Sequence, residues 1–236
     1  MFRFKQFTVE DSHSSMKVGT DAVLLGSLAT QGGSNTDTVL DIGTGCGVVS
    51  LLVAQQCPFA QIQAIDIDAA SVEEARHNFL LSPWRERLQV RQISLQTHVL
   101  TSEQRYNLIV SNPPYFSQSL KGSESRRNQA RHNDTLPFAD LVSGIDSLMA
   151  PDGRFCCILP CRNAEEVIVR AQSHNLHCIH RVLIRTRQDL PIKRTIFTLA
   201  RNNETQYEEI TLVLREKDNT PTVQYKNLTK EFYLDI

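Results

Sequence analysis

The chain has 236 residues, 41% of them apolar and 22% charged, which is enough Leu, Ile and Val to close a core and excludes disorder, collagen and coiled coil. Lys plus Arg number 25 and Asp plus Glu 26, so a net charge of −1 offers no global field to a polyanion, and any such partner must be held by a local patch. No run is long enough to cross a bilayer, and the start, MFRFKQFTVEDS, lacks an apolar stretch or a small-residue cleavage site; a cytoplasmic protein is expected.

In chain order, apolar runs of strand length alternate with longer amphipathic segments, the pattern of βαβ units around a parallel sheet. Phe2, Phe4 and Phe7 near the start read as packing residues. The first sheet strand is expected over Thr38 to Ile42, followed by a helix from Val48 to Cys57 that Pro58 stops. Ile62 to Asp66 is the second strand. Asp68 then caps a helix whose Val72, Ala75 and Phe79 share one face, ending before Pro83. Leu88 to Ile93 is the third strand and Tyr106 to Ser111 a buried fourth. A helix from Pro137 to Met149 turns Leu141, Ile145 and Leu148 inward, and Pro151-Asp152-Gly153 turns into strand Arg154 to Leu159. After a helix near Ala164 to His174, the runs CIHRVLI, RTIFTLA and EITLVLR read as successive strands, an antiparallel edge on the sheet.

The six cysteines (Cys46, Cys57, Cys156, Cys157, Cys161, Cys178) lie mostly in apolar segments and read as reduced core thiols. Cys157-x-x-x-Cys161 has no matching Cys or His pair at a zinc-finger spacing, and the seven histidines show no triad or metal spacing, so no metal is expected.

VLDIGTGCG, residues 39 to 47, stands where a strand hands over to a helix. Gly43 and Gly45 let a backbone take unusual dihedrals and let a ligand approach main-chain atoms. Val48 replaces the third glycine of a dinucleotide fingerprint, which weakens a nicotinamide reading. Asp66, at the end of the next strand, suits both hydroxyls of an adenosine ribose. Dinucleotides and S-adenosylmethionine both carry that ribose. Asp41 tilts the choice, because a carboxylate there repels a pyrophosphate but suits the ammonium of a methionine moiety.

Asn112-Pro113-Pro114-Tyr115 follows the fourth strand directly, at the carboxyl edge where open α/β sheets bind ligands. A planar amino group on adenine, cytosine or an amide is a poor nucleophile because its lone pair is delocalised. The Asn112 side-chain oxygen and the Pro113 carbonyl are placed to accept its hydrogens, favouring a pyramidal nitrogen whose lone pair is aimed at a methyl sulfonium carbon. Pro113 and Pro114 stiffen the loop, and Tyr115 offers a face for a splayed base.

VLDIGTGCG, AIDID and LIVSNPPY resemble the motifs of Rossmann-like S-adenosylmethionine-dependent amino-methyltransferases. More closely, MKVGTDAVLLG (residues 16 to 26), NPPYF (112 to 116) and the closing EFYLDI resemble the bacterial tRNA1(Val) adenine-37 N(6)-methyltransferase family, with the likeness running nearly end to end. The resemblance implies a class I, doubly wound α/β fold, 1–236 as one domain with a strand-and-helix addition over 1–30 and an extension over 203–236. It implies Asn112 to Tyr115 for the target base, Asp41, Gly43, Gly45 and Asp66 for the cofactor, and Lys17, Gly19, Thr20 and Asp21 over its methionine end. Such enzymes usually carry Asp after the third strand for the adenine amino group; Ser94 stands there instead.

An RNA partner fits two basic stretches. KGSESRRNQARHND, residues 121 to 134, carries Lys121, Arg126, Arg127 and Arg131 just after Phe116. From Arg181 to Arg201 six basic residues, among them Lys193 and Arg194, face one acid, Asp189. The expected activity is methyl transfer to N6 of an adenosine in a tRNA anticodon loop, with no obligate protein partner. The rivals are methylation of a protein glutamine amide, which also fits an NPPY loop, DNA adenine methylation, and a binding module without turnover.

Overall fold

The computed structural model describes residues 1–14, 17–31, 37–114, 136–201 and 206–235. Alternation of side chains across each strand places successive apolar residues on opposite faces of one sheet, so every buried strand feeds two cores. In the strand Thr38–Ile42, here β3, Val39 packs on one face and Leu40 on the other; in Tyr106–Ser111, β6, Leu108 and Val110 alternate with Ile109.

The chain opens with a two-stranded hairpin, β1 (Phe2–Arg3) and β2 (Thr8–Val9), followed by α1 (Thr20–Leu28). Next come β3, α2 (Val48–Gln56), β4 (Gln61–Asp66), α3 (Ala69–Leu81), β5 (Leu88–Gln92), α4 (Leu95–Thr101) and β6. Then follow α5 (Phe138–Leu148), β7 (Met149–Pro160), α6 (Cys161–Gln172), β8 (His177–Arg185), β9 (Arg194–Ala200), β10 (Glu208–Val213) and α7 (Val223–Thr229). The eight-stranded sheet has the order β10-β8-β9-β7-β6-β3-β4-β5. Helices α1, α2 and α3 cover one face; α4, α5 and α6 cover the other. This is the doubly wound arrangement expected. Among the described residues no helix is long and apolar enough to cross a membrane.

β3 and β6 have the bounds read from the sequence, and Asp68 caps α3 by accepting a hydrogen bond from the Ser71 amide at 2.8 Å. The antiparallel pairing falls at the expected end of the sheet, yet β9 alone runs against its neighbours, β7 and β8. The outermost strand, β10, is parallel to β8, so the reversed strand sits inside the sheet. The Pro151-Asp152-Gly153 turn is absorbed as an irregularity within a longer β7, where pairing with β6 jumps from Tyr106↔Met149 to Leu108↔Arg154. Helix α4 has no counterpart in the sequence reading. Phe4 and Phe7 are buried as packing residues, stacked with centroids 4.6 Å apart. All six cysteines are free thiols, with Cys46, Cys156 and Cys157 buried.

Candidate active site

Because β3, β4, β5, β6 and β7 are mutually parallel, their carboxyl ends lie along one edge. The chain leaves β3 for β4 on one side and later returns to β6 on the other, so a crevice opens above β3, the usual ligand position in such sheets. Registers Ile42↔Ile65, Ile42↔Ser111 and Asp66↔Gln92 bring the glycine turn, Asp66, Ser94 and Asn112 to that edge. Two strand spacings put the ends of β4 and β6 roughly 10 Å apart.

The turn after β3 needs left-handed backbone three times: φ is 70° at Gly43, 55° at Gly45 and 83° at Gly47. A Cβ added at Gly43 or Gly45 meets nothing within 4 Å, so those two face open space, as an approaching ligand requires. At Gly47 the added atom lands 2.5 Å from Phe79 Cε1; that glycine serves the packing of α2 on α3. The amides of Gly43 and Thr44 donate to the Ile65 carbonyl at 2.9 and 3.1 Å, and the Gly45 amide donates to Asp66 Oδ2 at 2.9 Å. Asp66 Oδ1 accepts from the Asp68 amide at 3.0 Å, so its carboxylate is oriented by two backbone groups while the residue stays half-buried.

Asp41 lies beneath this turn. It is 1% exposed, and its Oδ2 accepts from Thr44 Oγ1 and from Ser50 Oγ, both at 2.7 Å. Asp41 thus ties the glycine turn to the first turn of α2, whose N-cap Gly47 has no side chain. Burial pushes its pKa up to about 6, against the pull of these hydrogen bonds. Through these bonds Asp41 braces the turn from beneath.

Asn112 is half-buried and Pro113 buried, directly past β6, while Pro114 is exposed. Asn112 Oδ1 is enclosed, with no hydrogen-bond partner among the described residues. A buried acceptor left alone costs about 1–3 kcal/mol, a cost removed when a ligand donor fills the place. Tyr115, Phe116, Arg126, Arg127 and Arg131 lie outside the described residues.

Ser94 is the N-cap of α4: its Oγ accepts from the Thr97 amide at 3.1 Å and donates to Thr97 Oγ1 at 2.9 Å. Its first duty is to the helix. Lys17 bonds the Asp11 carbonyl, Gly19 precedes α1 as its N-cap, and Thr20 and Asp21 form the first turn. Asp21 Oδ2 takes Arg194 Nε at 2.9 Å.

The basic run is not one patch. Arg181 pairs with Glu165 and Glu209, and Arg201 pairs with Asp146 at the opposite end of β9. Arg185, Arg187, Lys193 and Arg194 remain together at the carboxyl edge, where Arg194 opposes Pro160. Of these, Arg187 pairs with Asp189 and Arg194 with Asp21, while Lys193 is exposed.

Residues 11–127 match the family model described as the methyltransferase small domain. The tRNA1(Val) (adenine(37)-N6)-methyltransferase of Phocaeicola vulgatus is 41% identical over 236 residues, covering 100% of this chain and 98% of its own. The protein of the same name from Flavobacterium johnsoniae is 37% identical, covering 100% of both chains. The chain belongs to this methyltransferase family. Its fold also matches solved methyltransferases. A predicted O-methyltransferase from Agrobacterium tumefaciens superposes with a TM-score of 0.69 at 19% identity, over 89% of this chain and 96% of that one. A glycopeptide N-methyltransferase complexed with S-adenosyl-L-methionine gives 0.56 at 12%, over 82% and 100%.

In this methyltransferase the sequence reading passed over Thr44 and Ser50, which fix Asp41, and Asn78, whose Nδ2 donates to the Cys46 carbonyl of the glycine turn at 2.8 Å. Hydroxyls inside a turn and an amide inside a helix carry no motif of their own; only their placement reveals them.

Proposed function

We infer that this enzyme moves the methyl group of S-adenosylmethionine to N6 of an adenosine in tRNA, the adenosine at position 37 of tRNA1(Val), in the anticodon loop. The observation that carries the reading is the enclosed Oδ1 of Asn112 at the carboxyl edge of β6, without a hydrogen-bond partner among the described residues. Full-length relatedness to enzymes named for that target supports the same substrate. A cytoplasmic location follows from the substrate.

The residues at the crevice fit the cofactor. Open space over Gly43 and Gly45 admits a ligand against the backbone, and the clamped carboxylate of Asp66 retains lone pairs for a ribose diol. The Lys17–Asp21 segment covers the methionine end, and Ser94 stands beside the adenine position. When bound, the cofactor supplies an electrophilic methyl on a positively charged sulfur.

The protein's part is positioning and electrostatics. Asn112 Oδ1 and the Pro113 carbonyl each accept one amino hydrogen of the adenine, which draws the nitrogen towards pyramidal geometry and turns its lone pair into the crevice. As the N–C bond forms and the C–S bond breaks, its electron pair returning to sulfur to leave a neutral thioether, positive charge grows on that nitrogen, and the two oxygens would hold its protons more strongly than in the ground state. The methylated amine then releases one proton to water; no side-chain base is required. Pro113 and Pro114 keep the loop stiff, and Tyr115 with Phe116 stacks the extruded base. An anticodon-loop adenosine is already unpaired, which lowers the cost of extrusion. Arg126, Arg127 and Arg131, with Lys193 and Arg194 at the sheet edge, are assigned to phosphates.

A tRNA1(Val) transcript incubated with the protein and methyl-labelled cofactor tests this. Label recovered as N6-methyladenosine, lost when position 37 is guanosine, is the expected result; label that persists in the guanosine transcript contradicts the target.

A further inference from the structure

Two buried polar residues of α3, Glu74 and Asn78, lie four positions apart and therefore on one face of the helix. They are 5% and 1% exposed, at positions where an amphipathic helix ordinarily buries apolar groups. Both spend their polar atoms on the segment that leads into Lys17–Asp21. Asn78 Oδ1 accepts from the Glu10 amide at 2.9 Å, while Nδ2 donates to the Glu10 carbonyl and to the Cys46 carbonyl, each at 2.8 Å. One donor and two acceptors fix which end of the amide is oxygen, and neither Asp nor Leu can reproduce the set. Cys46 lies between Gly45 and Gly47, so a single side chain ties residue 10 to the glycine turn.

Glu74 completes the attachment four residues further on. Its Oε1 accepts from the His13 amide at 2.8 Å and from Ser12 Oγ at 3.3 Å, and its Oε2 accepts from the Ser14 amide at 2.8 Å. Burial alone pushes its pKa up; the amides and hydroxyls of residues 12 to 14 outweigh that and hold it below the usual glutamate value. Beyond it, Asp11 Oδ2 accepts from the Val18 amide at 3.1 Å and the Asp11 carbonyl takes the Lys17 ammonium, so the segment closes at the threshold of α1.

We propose that Glu74 and Asn78 are positioning residues for cofactor binding, locking the segment leading to Lys17–Asp21 and the glycine turn 43–47 into one preorganised unit. They touch no reacting atom. Their effect passes through backbone that the cofactor meets, and the proposal therefore rests on the cofactor site described above. A preorganised wall lowers the ordering cost of binding without altering the methyl-transfer step, so affinity and chemistry should separate.

The test uses the full-length protein with Glu74→Gln and Asn78→Asp, and Arg76→Ala as a control on the exposed side of the same helix. Glu74→Gln sets an NH2 group against one of the two amides that the carboxylate accepted. Asn78→Asp removes both donors and places a charge beside two carbonyls. Calorimetric titration with S-adenosylmethionine is expected to show Kd raised by about tenfold or more in both variants and unchanged in the control. The KM for cofactor should rise in step while kcat stays within about twofold, and the His13 and Ser14 amides should exchange hydrogen faster in Glu74→Gln. Should Asn78→Asp fail to fold, Glu74→Gln, which leaves the bond to the turn intact, carries the test alone. Wild-type affinity in a folded variant overturns the proposal. A wild-type protein that does not bind S-adenosylmethionine at all instead overturns the cofactor assignment.

Discussion

Asp21 and Arg194, 173 positions apart in the chain, meet as an ion pair at the carboxyl edge of the sheet, with Nε 2.9 Å from Oδ2 and each side chain 27% exposed. The first turn of α1 is thereby fastened to the start of β9, and a residue assigned to RNA holds one assigned to the cofactor. Arg194→Ala is expected to weaken S-adenosylmethionine as well as tRNA, whereas Lys193→Ala weakens tRNA alone. Cofactor titration of both variants in the absence of RNA checks this. Unchanged cofactor affinity in Arg194→Ala would leave it a phosphate contact only.

For Asp66, the carboxylate is set by the amides of Gly45 and Asp68 before any ligand arrives. Asp66→Ala should reduce cofactor affinity by roughly 1.5–3 kcal/mol, the worth of hydrogen bonds to a charged acceptor, and should loosen the glycine turn as well. Titration calorimetry on the folded variant measures it; an unaltered Kd removes Asp66 from the site.

Much of this site was legible in the sequence because its parts fall at strand ends. The bounds of β3 and β6 follow from short apolar runs between polar ends, and those ends carry the glycine turn and Asn112. What stayed hidden depends on tertiary placement. Helix α4 is short and leaves Leu100 exposed, and what fixes it is burial of Leu95 and His98, the latter with Nε2 3.0 Å from the Tyr106 hydroxyl. The spacing of LDIGTG does not reveal that the Asp41 carboxylate also holds the hydroxyls of Thr44 and Ser50. Likewise a count of basic residues from Arg181 to Arg201 does not reveal that β9 puts Arg194 and Arg201 at its opposite ends, on different partners.

Asn112→Ala should separate chemistry from binding. Its hydrogen bond strengthens as charge develops on the attacking nitrogen, so the loss falls on turnover, on the order of 10²-fold, with cofactor affinity nearly unchanged. Single-turnover methylation at saturating tRNA reads the difference, and a wild-type rate would reduce Asn112 to a loop residue.

The buried Asp41 makes stability depend on pH. Burial holds its folded pKa at about 6, above the ordinary aspartate value of 3.8, so the fold favours the protonated form. That contribution is complete below pH 3.8 and is lost as pH rises through about 6. At roughly 1.4 kcal/mol per unit, a rise of about two units means that ionised Asp41 costs the fold on the order of 3 kcal/mol at pH 8. Asp41→Asn, whose amide oxygen still accepts from Thr44 and Ser50, should therefore be more stable than wild type at pH 8 and similar at pH 4. Urea unfolding at both values decides; a difference independent of pH contradicts the assignment.

The central claim is that a tRNA adenine amino group receives the methyl. Incubating the protein with methyl-labelled S-adenosylmethionine and, in parallel, total tRNA, total rRNA, genomic DNA and protein, followed by nucleoside and amino-acid analysis of each labelled pool, addresses it most directly. The account predicts label in tRNA alone, as N6-methyladenosine. Label in protein as a methylated glutamine amide, or in DNA, would contradict it.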